Sequence, residues 1–261
     1  KMFATLKPAL EFPTGTKWQY CNTGYILLSA VVSRISKMPT EEFVNDNIVM
    51  PLGLKETYLY NVYLPSPQNH VYGFEEVNGK QKLNDLFYLD GVTGDGNMYS
   101  SVEDLFKWEQ SLYTGKLVKK ATYADALKPV KLSNDSTYPY GFGWFIGKEN
   151  EFYYHTGSWA GFRNIICRDT KNNRTLIILS NGTNGMARQV ARNIFEGKSY
   201  ELPSLQLITN VLVIDGTNTP ARKASVRIKD NTIMAVGDLT PYPGETVIDG
   251  AGKTLTPGFI D

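Results

Sequence analysis

The sequence contains no run of about 20 apolar residues, so no segment is expected to cross a membrane as a helix. It has only two cysteines, Cys21 and Cys167, in 261 residues. Two isolated thiols make no disulfide framework, and both a cytoplasmic and a bacterial periplasmic setting stay open. Charge of one sign is missing too: 27 basic residues face 26 acidic ones, for a net charge of +1. That removes the electrostatic ground for a nucleic-acid partner or an anionic membrane surface. Internal repeats, low-complexity stretches and a visible signal peptide are absent. The last absence is the most pointed. No lysine has a serine three positions before it, and the nearest approach, Thr14-Gly15-Thr16-Lys17, begins with threonine.

What is present suffices for real cores. A 42% hydrophobic content over this length supports one large or two modest domains. The 16 tyrosines suit a cleft for sugars, peptides or amides as well as an ordinary core. Residues 14–24 read as a turn-rich lead into a helix over Tyr25 to Ser36, whose Leu27, Val31 and Ile35 form an i, i+4, i+8 stripe expected to face a core. Thr40 is the expected N-cap of the next helix, with Glu41 and Glu42 in its first turn, and Pro51-Leu52-Gly53-Leu54 stops it. Residues 61–97 read as a long irregular stretch, either a substrate-gating loop or a surface excursion. Ser100-Ser101-Val102-Glu103-Asp104-Leu105 reads as the start of a further helix, with a serine cap and acids in its first turn, continued by Trp108, Glu109 and Leu112.

From Tyr140 the pattern changes to strands. Gly141 to Gly147, Glu151 to His155, Phe162 to Arg168 and Arg174 to Ser180 form an expected antiparallel meander. Met186 to Glu196 closes it as a helix with Val190, Ile194 and Phe195 inward. Further strands are expected at Leu207 to Ile214, Ala224 to Lys229, Thr232 to Val236 and Thr246 to Asp249. The fold class is therefore α+β, an antiparallel sheet flanked by helices over residues 1–198, a linker at 199–205, and a small all-β unit at 206–261.

Acyl transfer by serine needs a base for the hydroxyl proton, an orienting group and donors for the developing oxyanion. In one solution, a lysine one turn after the serine and a tyrosine phenol with a depressed pKa share the proton work. An asparagine two residues after that tyrosine bonds lysine and substrate. Tyr20 and Asn22 fit base and orienter. His155-Thr156-Gly157 fits the strand along which a substrate pairs, Gly157 permits close approach, and the Ser158 N–H is the candidate oxyanion donor, with Thr156, Gly157 and Trp159 as substrate contacts.

At these residues the sequence resembles the serine β-lactamase and penicillin-binding-protein-like hydrolases, in their class C or esterase-type branch. Phe12-Pro13-Thr14-Gly15-Thr16-Lys17, Thr23-Gly24-Tyr25, Pro51-Leu52-Gly53-Leu54, Gly96 through Leu105, Tyr140-Gly141-Phe142-Gly143-Trp144 and Leu179-Ser180-Asn181 follow the family's order over roughly residues 1–197. The resemblance implies an acyl-enzyme hydrolase of amides or esters (β-lactams, D-amino-acid peptides or esters) in a bacterial periplasm or cell envelope, with the cytoplasm also open. It also implies that the family's N-terminal strands and Ser-x-x-Lys helix lie before Lys1. His155 stands where lysine is often found, which weakens carboxylate recognition. Cys21, where serine is common, reads as a small filler.

Val247 through Asp261, ending Thr256-Pro257-Gly258-Phe259-Ile260-Asp261, resembles the N-terminal β portion of metal-dependent amidohydrolases, nearest the D-aminoacylase-like members. There Pro-Gly-Phe-Ile-Asp leads into a zinc-binding His-x-His, so no cofactor is expected in this chain, and zinc only in a longer parent. The plainer readings are a β appendage for residues 206–261, a surface-loop role for His70, a core position for Cys167, and aromatic packing for Trp144, Trp159 and Tyr140. The alternative functions are a catalytically silent binding module and an accessory part of an amidohydrolase.

Overall fold

The computed structural model describes Thr5 and residues 9–63, 65–77, 80–85, 88–147, 151–183, 186–195, 205–217, 219–230 and 232–256. After an extended lead, helix α1 runs Asn22–Ser36 and ends on Lys37 in the left-handed conformation. Helix α2, Thr40–Val44, passes through a π-helical turn, Asn45–Val49, into the short α3, Met50–Leu52, which Gly53 terminates with a positive φ. Strands β1 (Tyr58–Leu59), β2 (Phe74–Val77), β3 (Lys80–Leu83) and β4 (Met98–Tyr99) follow, with a 3-10 turn at Tyr88–Gly91. Helices α4 (Val102–Ser111) and α5 (Lys120–Ala126) precede the hairpin of β5 (Val130–Lys131) and β6 (Thr137–Tyr138). Then come β7 (Phe145–Ile146), β8 (Phe152–Trp159), β9 (Phe162–Asp169), β10 (Arg174–Ile178) and helix α6 (Met186–Phe195).

The expected meander forms as an antiparallel sheet in the order β10-β9-β8-β7. Its alternating side chains serve two cores, as a period of two requires. On one face Ile165 and Cys167 pack with Ala191 of α6 and with Phe152, Tyr154, Leu176 and Phe195. On the other, Ile146 and Tyr153 pack with Trp144 and Leu112, bordered by Trp108, Tyr123 and Ile166. Helices thus cover both faces of the strand that carries His155.

Past residue 204 lie β11 (Leu205–Val213), β12 (Arg222–Lys229), β13 (Thr232–Gly237), β14 (Thr246–Asp249) and β15 (Thr254–Leu255). The pairing is β13-β12-β11-β14, with β15 also on β11. Hairpin pairing holds for β11–β12 and β12–β13, but β14 and β15 lie parallel to β11. A buried Arg227–Glu245 pair at 2.7 Å ties β12 to the loop before β14, with the guanidinium 3.6 Å from the Tyr242 ring. The Tyr242 hydroxyl donates to Glu76 of β2 at 2.8 Å.

Five expectations need correction. The Leu27, Val31 and Ile35 stripe does not face a core: these residues are 47%, 49% and 78% exposed. Helix α1 instead buries its Ser29 side, where the Thr40 hydroxyl donates to the Ser29 carbonyl at 3.0 Å. Periodicity marks an apolar face; it does not say what covers it. Thr40 is consequently not an N-cap; Pro39 holds that position, without a side-chain cap. Residues 61–97 are not wholly irregular, since β2 and β3 pair over Phe74↔Leu83 to Val77↔Lys80. Ile194 faces out, 44% exposed, and Ala191 takes the inward place on α6, packed with Ile165 and Cys167. Glu196 lies outside the described residues, as do 199–204 of the expected 199–205 linker, whose last residue, Leu205, instead begins β11, and Pro257 to Asp261.

His70 is the fifth. It is not a surface residue but lies buried between β1 and β2: its side chain is 2% exposed, and Asp85, 3.3 Å from its Nε2, is fully covered. The Tyr58 hydroxyl meets its Nδ1 at 3.0 Å, and Tyr60 and Tyr99 rings pack 4.7 Å from it. A composition-based surface assignment fails here because one carboxylate and a ring of tyrosines supply in the interior what water supplies outside.

Candidate active site

Three local devices bring Tyr20, Asn22 and His155 together. The lead into α1 is held against the β5–β6 hairpin by the Ser133 N–H donating to the Gly15 carbonyl at 2.9 Å. Trp18 then stacks on Tyr138 at 3.9 Å and tilts against Tyr140 at 5.1 Å. Cys21 takes an extended conformation before the helix, so Tyr20 lies just outside α1 and Asn22 is its first residue. His155 enters from mid-β8, paired across to Ile166.

These side chains line a 140 Å³ cavity with Tyr25, Gly94, Asp95, Tyr140 and Gly143. The imidazole is oriented at both nitrogens. Its Nδ1 lies 2.9 Å from the Thr156 carbonyl, which can only accept, so Nδ1 carries the proton. Nε2 lies 3.2 Å from the Tyr140 hydroxyl. The Tyr20 ring lies 6.0 Å from the imidazole and 6.3 Å, edge-on, from Tyr140.

The electrostatics differ from the sequence expectation for Tyr20. Its phenol is pushed above the ordinary tyrosine value of 10.0, first by burial and then by Tyr25 and Asp95. A depressed phenol needs cations beside it; among the described residues the cavity wall offers tyrosines and one carboxylate instead. Tyr140 is raised as well, by burial and then by its hydrogen bond with Tyr25.

The other nominated residues sit farther along β8. Strand β7 meets β8 at Tyr153 and Tyr154, while β9 pairs with it along its whole length, from Phe152 to Trp159. Thr156, Gly157 and Ser158 lie on that stretch, outside the cavity wall. Gly157 is not demanded by packing: a Cβ there would meet Asn164 at 3.6 Å, an ordinary contact, so the fold itself tolerates a side chain. Trp159 is fastened by its indole N–H to Asp90 at 2.6 Å. Trp144 is core, 7% exposed and stacked on Trp108 at 6.2 Å. Cys21 is exposed beside the site and Cys167 is buried.

Tyr25 and Asp95 were not singled out from the sequence as site residues. Tyr25 enters the sequence reading only as the start of a helix and within Thr23-Gly24-Tyr25. Asp95 had one available signal, a carboxylate between two glycines in a long loop. Among the described residues no three His, Cys, Asp or Glu side chains gather as a metal would need, and no helix is long and apolar enough to cross a membrane.

The sequence profile of the Beta-lactamase family matches residues 3–199. A penicillin-binding protein of Bacillus subtilis (strain 168) is 31% identical over 245 residues, covering 86% of this chain and 54% of that protein. The chain therefore spans about half the length of that relative. The crystal structure of a penicillin-binding protein from Bacillus halodurans shares the fold, with a TM-score of 0.63 at 24% identity, covering 75% of this chain and 61% of the other. A D-aminoacylase of Alcaligenes xylosoxydans xylosoxydans is 40% identical over 55 residues, 21% of this chain and 11% of its own.

Proposed function

This chain belongs to the β-lactamase family, and on that premise we propose that it forms one wall of a serine acyl-transfer site that hydrolyses amides or esters through an acyl-enzyme. The observation that carries the reading is the convergence of Tyr20, Asn22 and His155 on one cavity from two elements 133 positions apart in the chain. In this reading the serine and lysine of a Ser-x-x-Lys turn come from elsewhere in a longer polypeptide, because the sequence contains no such turn.

The assigned roles follow from the chemistry each group can do. Tyr20 takes the serine proton once the lysine stands beside it. That cation opposes the upward push of burial, Tyr25 and Asp95 and brings the phenol toward the working range of a base. Asn22, anchored on the first turn of α1, holds the lysine and the substrate amide. His155, fixed by Thr156 and Tyr140, borders the carbonyl-binding edge of β8. The substrate lies along Thr156 and Gly157 on that edge, Trp159 closes its far end, and the Ser158 N–H serves the oxyanion. No metal has a part in these steps.

The D-aminoacylase match, close in length to the stretch beyond residue 205, supports a second unit of amidohydrolase type in the same polypeptide, where zinc would enter. The names of the relatives support a bacterial cell-envelope setting. The test is covalent labelling of the full-length polypeptide with a fluorophosphonate or penicillin-type probe. A labelled serine three residues before a lysine is the expected result. Peptide binding without label would leave only the silent-module reading.

A further inference from the structure

The charge character of the cavity deepens that reading and rests on it. A site built for a carboxylate-terminated substrate presents a cation. Here, among the described residues, the wall presents Tyr20, Tyr25, Tyr140, His155 and one carboxylate, Asp95, with no lysine or arginine. We propose that Asp95 and the three tyrosines form a cation subsite, and that the substrate carries a free ammonium group next to the scissile amide or ester.

Asp95 is held in place by its neighbours, not by bonds of its own. Two residues before it, the Thr93 hydroxyl donates to Glu41 of α2. Two residues after it, the Asn97 side chain donates to the Tyr60 carbonyl at 2.7 Å, while Tyr60 N–H returns a bond of 2.7 Å to the Asn97 carbonyl. Between them Gly94, at φ +126, lies flat on α1, where a Cβ would come within 2.7 Å of the Tyr25 carbonyl and 2.8 Å of Ser29 Cβ. The loop is thus fastened on both sides of a carboxylate that itself has no hydrogen bond or ion pair among the described residues. Its field reaches the Tyr20 phenol, which it helps to raise.

A half-buried carboxylate facing tyrosine rings is poorly matched to anions and well matched to an ammonium, which gains a charge-assisted hydrogen bond and the negative faces of the rings. A cation at this point also sits beside Tyr20, the group assigned to the proton transfer, so its binding favours ionisation of that phenol. An α-amino group meets both needs, and its own ionisation near pH 8 gives the subsite a signature.

The experiment compares D-alanine p-nitroanilide with its N-acetyl counterpart on the full-length polypeptide and its Asp95→Asn variant. The wild type is expected to prefer the free amine. It should lose that preference as pH rises past about 8, where the amine deprotonates. In D95N the preference ratio in kcat/KM should fall about ten- to a hundredfold, as for loss of a charged hydrogen bond. An equal loss on both substrates overturns the proposal, because Asp95 would then serve a cation of the protein itself. An unchanged ratio overturns it as well. Calorimetric binding of D-alaninamide, which needs no acyl-enzyme, separates the two readings. Binding weakened by D95N without probe labelling leaves the subsite standing and sinks the acyl-transfer reading. Labelling with an unchanged ratio does the reverse.

Discussion

His70 and His155 share half of their wiring, and the other half separates a structural ring from a site ring. Each has a tyrosine hydroxyl on one nitrogen, Tyr58 at 3.0 Å and Tyr140 at 3.2 Å. On the opposite nitrogen His70 meets the Asp85 carboxylate and His155 meets a backbone carbonyl. Asp85 spends its other oxygen on the Gly73 N–H at 2.7 Å, and Gly73 passes the linkage on through Asn84 to the Gly161 N–H, at the turn between β8 and β9. His70 therefore braces the far end of the strand on which His155 works. A histidine walled in by a carboxylate and the rings of Tyr58, Tyr60, Tyr72 and Tyr99 has no room for a substrate. One that lines a cavity, with a carbonyl behind it, does.

The comparison breaks or sharpens most with Tyr20→Phe. On the proposed reading this change lowers the rate of probe labelling of the full-length polypeptide by about 10²–10⁴-fold, the usual worth of a general base. Its melting temperature should stay put, since Tyr20 is 46% exposed. Labelling at the wild-type rate would move the base role off this residue.

Next is His70→Ala. It leaves the buried Asp85 and the Tyr58 hydroxyl without their ring partner, which should cost about 1–3 kcal/mol in denaturant unfolding, as for buried hydrogen-bonding groups left unsatisfied. A change under about 0.5 kcal/mol, the size of an ordinary surface substitution, would erase the distinction between the two histidines.

The smallest effect is on the alkaline side. Burial first, then Tyr60 and Asp85, push the Tyr58 phenol from 10.0 up to about 12. The folded protein thus holds this proton more tightly than the unfolded chain. The resulting stability is fully present below pH 10 and disappears as pH rises through 10 toward 12. Tyr58→Phe should flatten the fall of unfolding free energy over that window. An identical slope in both proteins would place the phenol outside the His70 cluster's energetics.

What the sequence made legible was local. Helix α1, the Ser101 cap, whose side chain accepts from the Asp104 N–H at 3.1 Å, and the four strands of the meander follow from periodicity and turn chemistry within ten or so residues. Tyr20, Asn22 and His155 were legible because motif order carries long-range information that periodicity does not. Asp85 closing on His70, Asp95 folding over the first turns of α1, and β14 and β15 adding parallel to β11 were not. Each depends on segments that meet only after the chain has packed. The same limit explains why a correct stripe on α1 was given the wrong surroundings.

That stripe has a practical bearing on the molecule in solution. Leu27, Leu28, Val31 and Ile35 stand 47%, 56%, 49% and 78% exposed along one helix. Contiguous apolar surface of this kind lowers the concentration at which copies adhere. The 261-residue chain by itself should therefore scatter light more as it is concentrated, and weakly with salt, because the attraction involves no charge. The near-zero net charge of the whole does nothing to oppose that attraction.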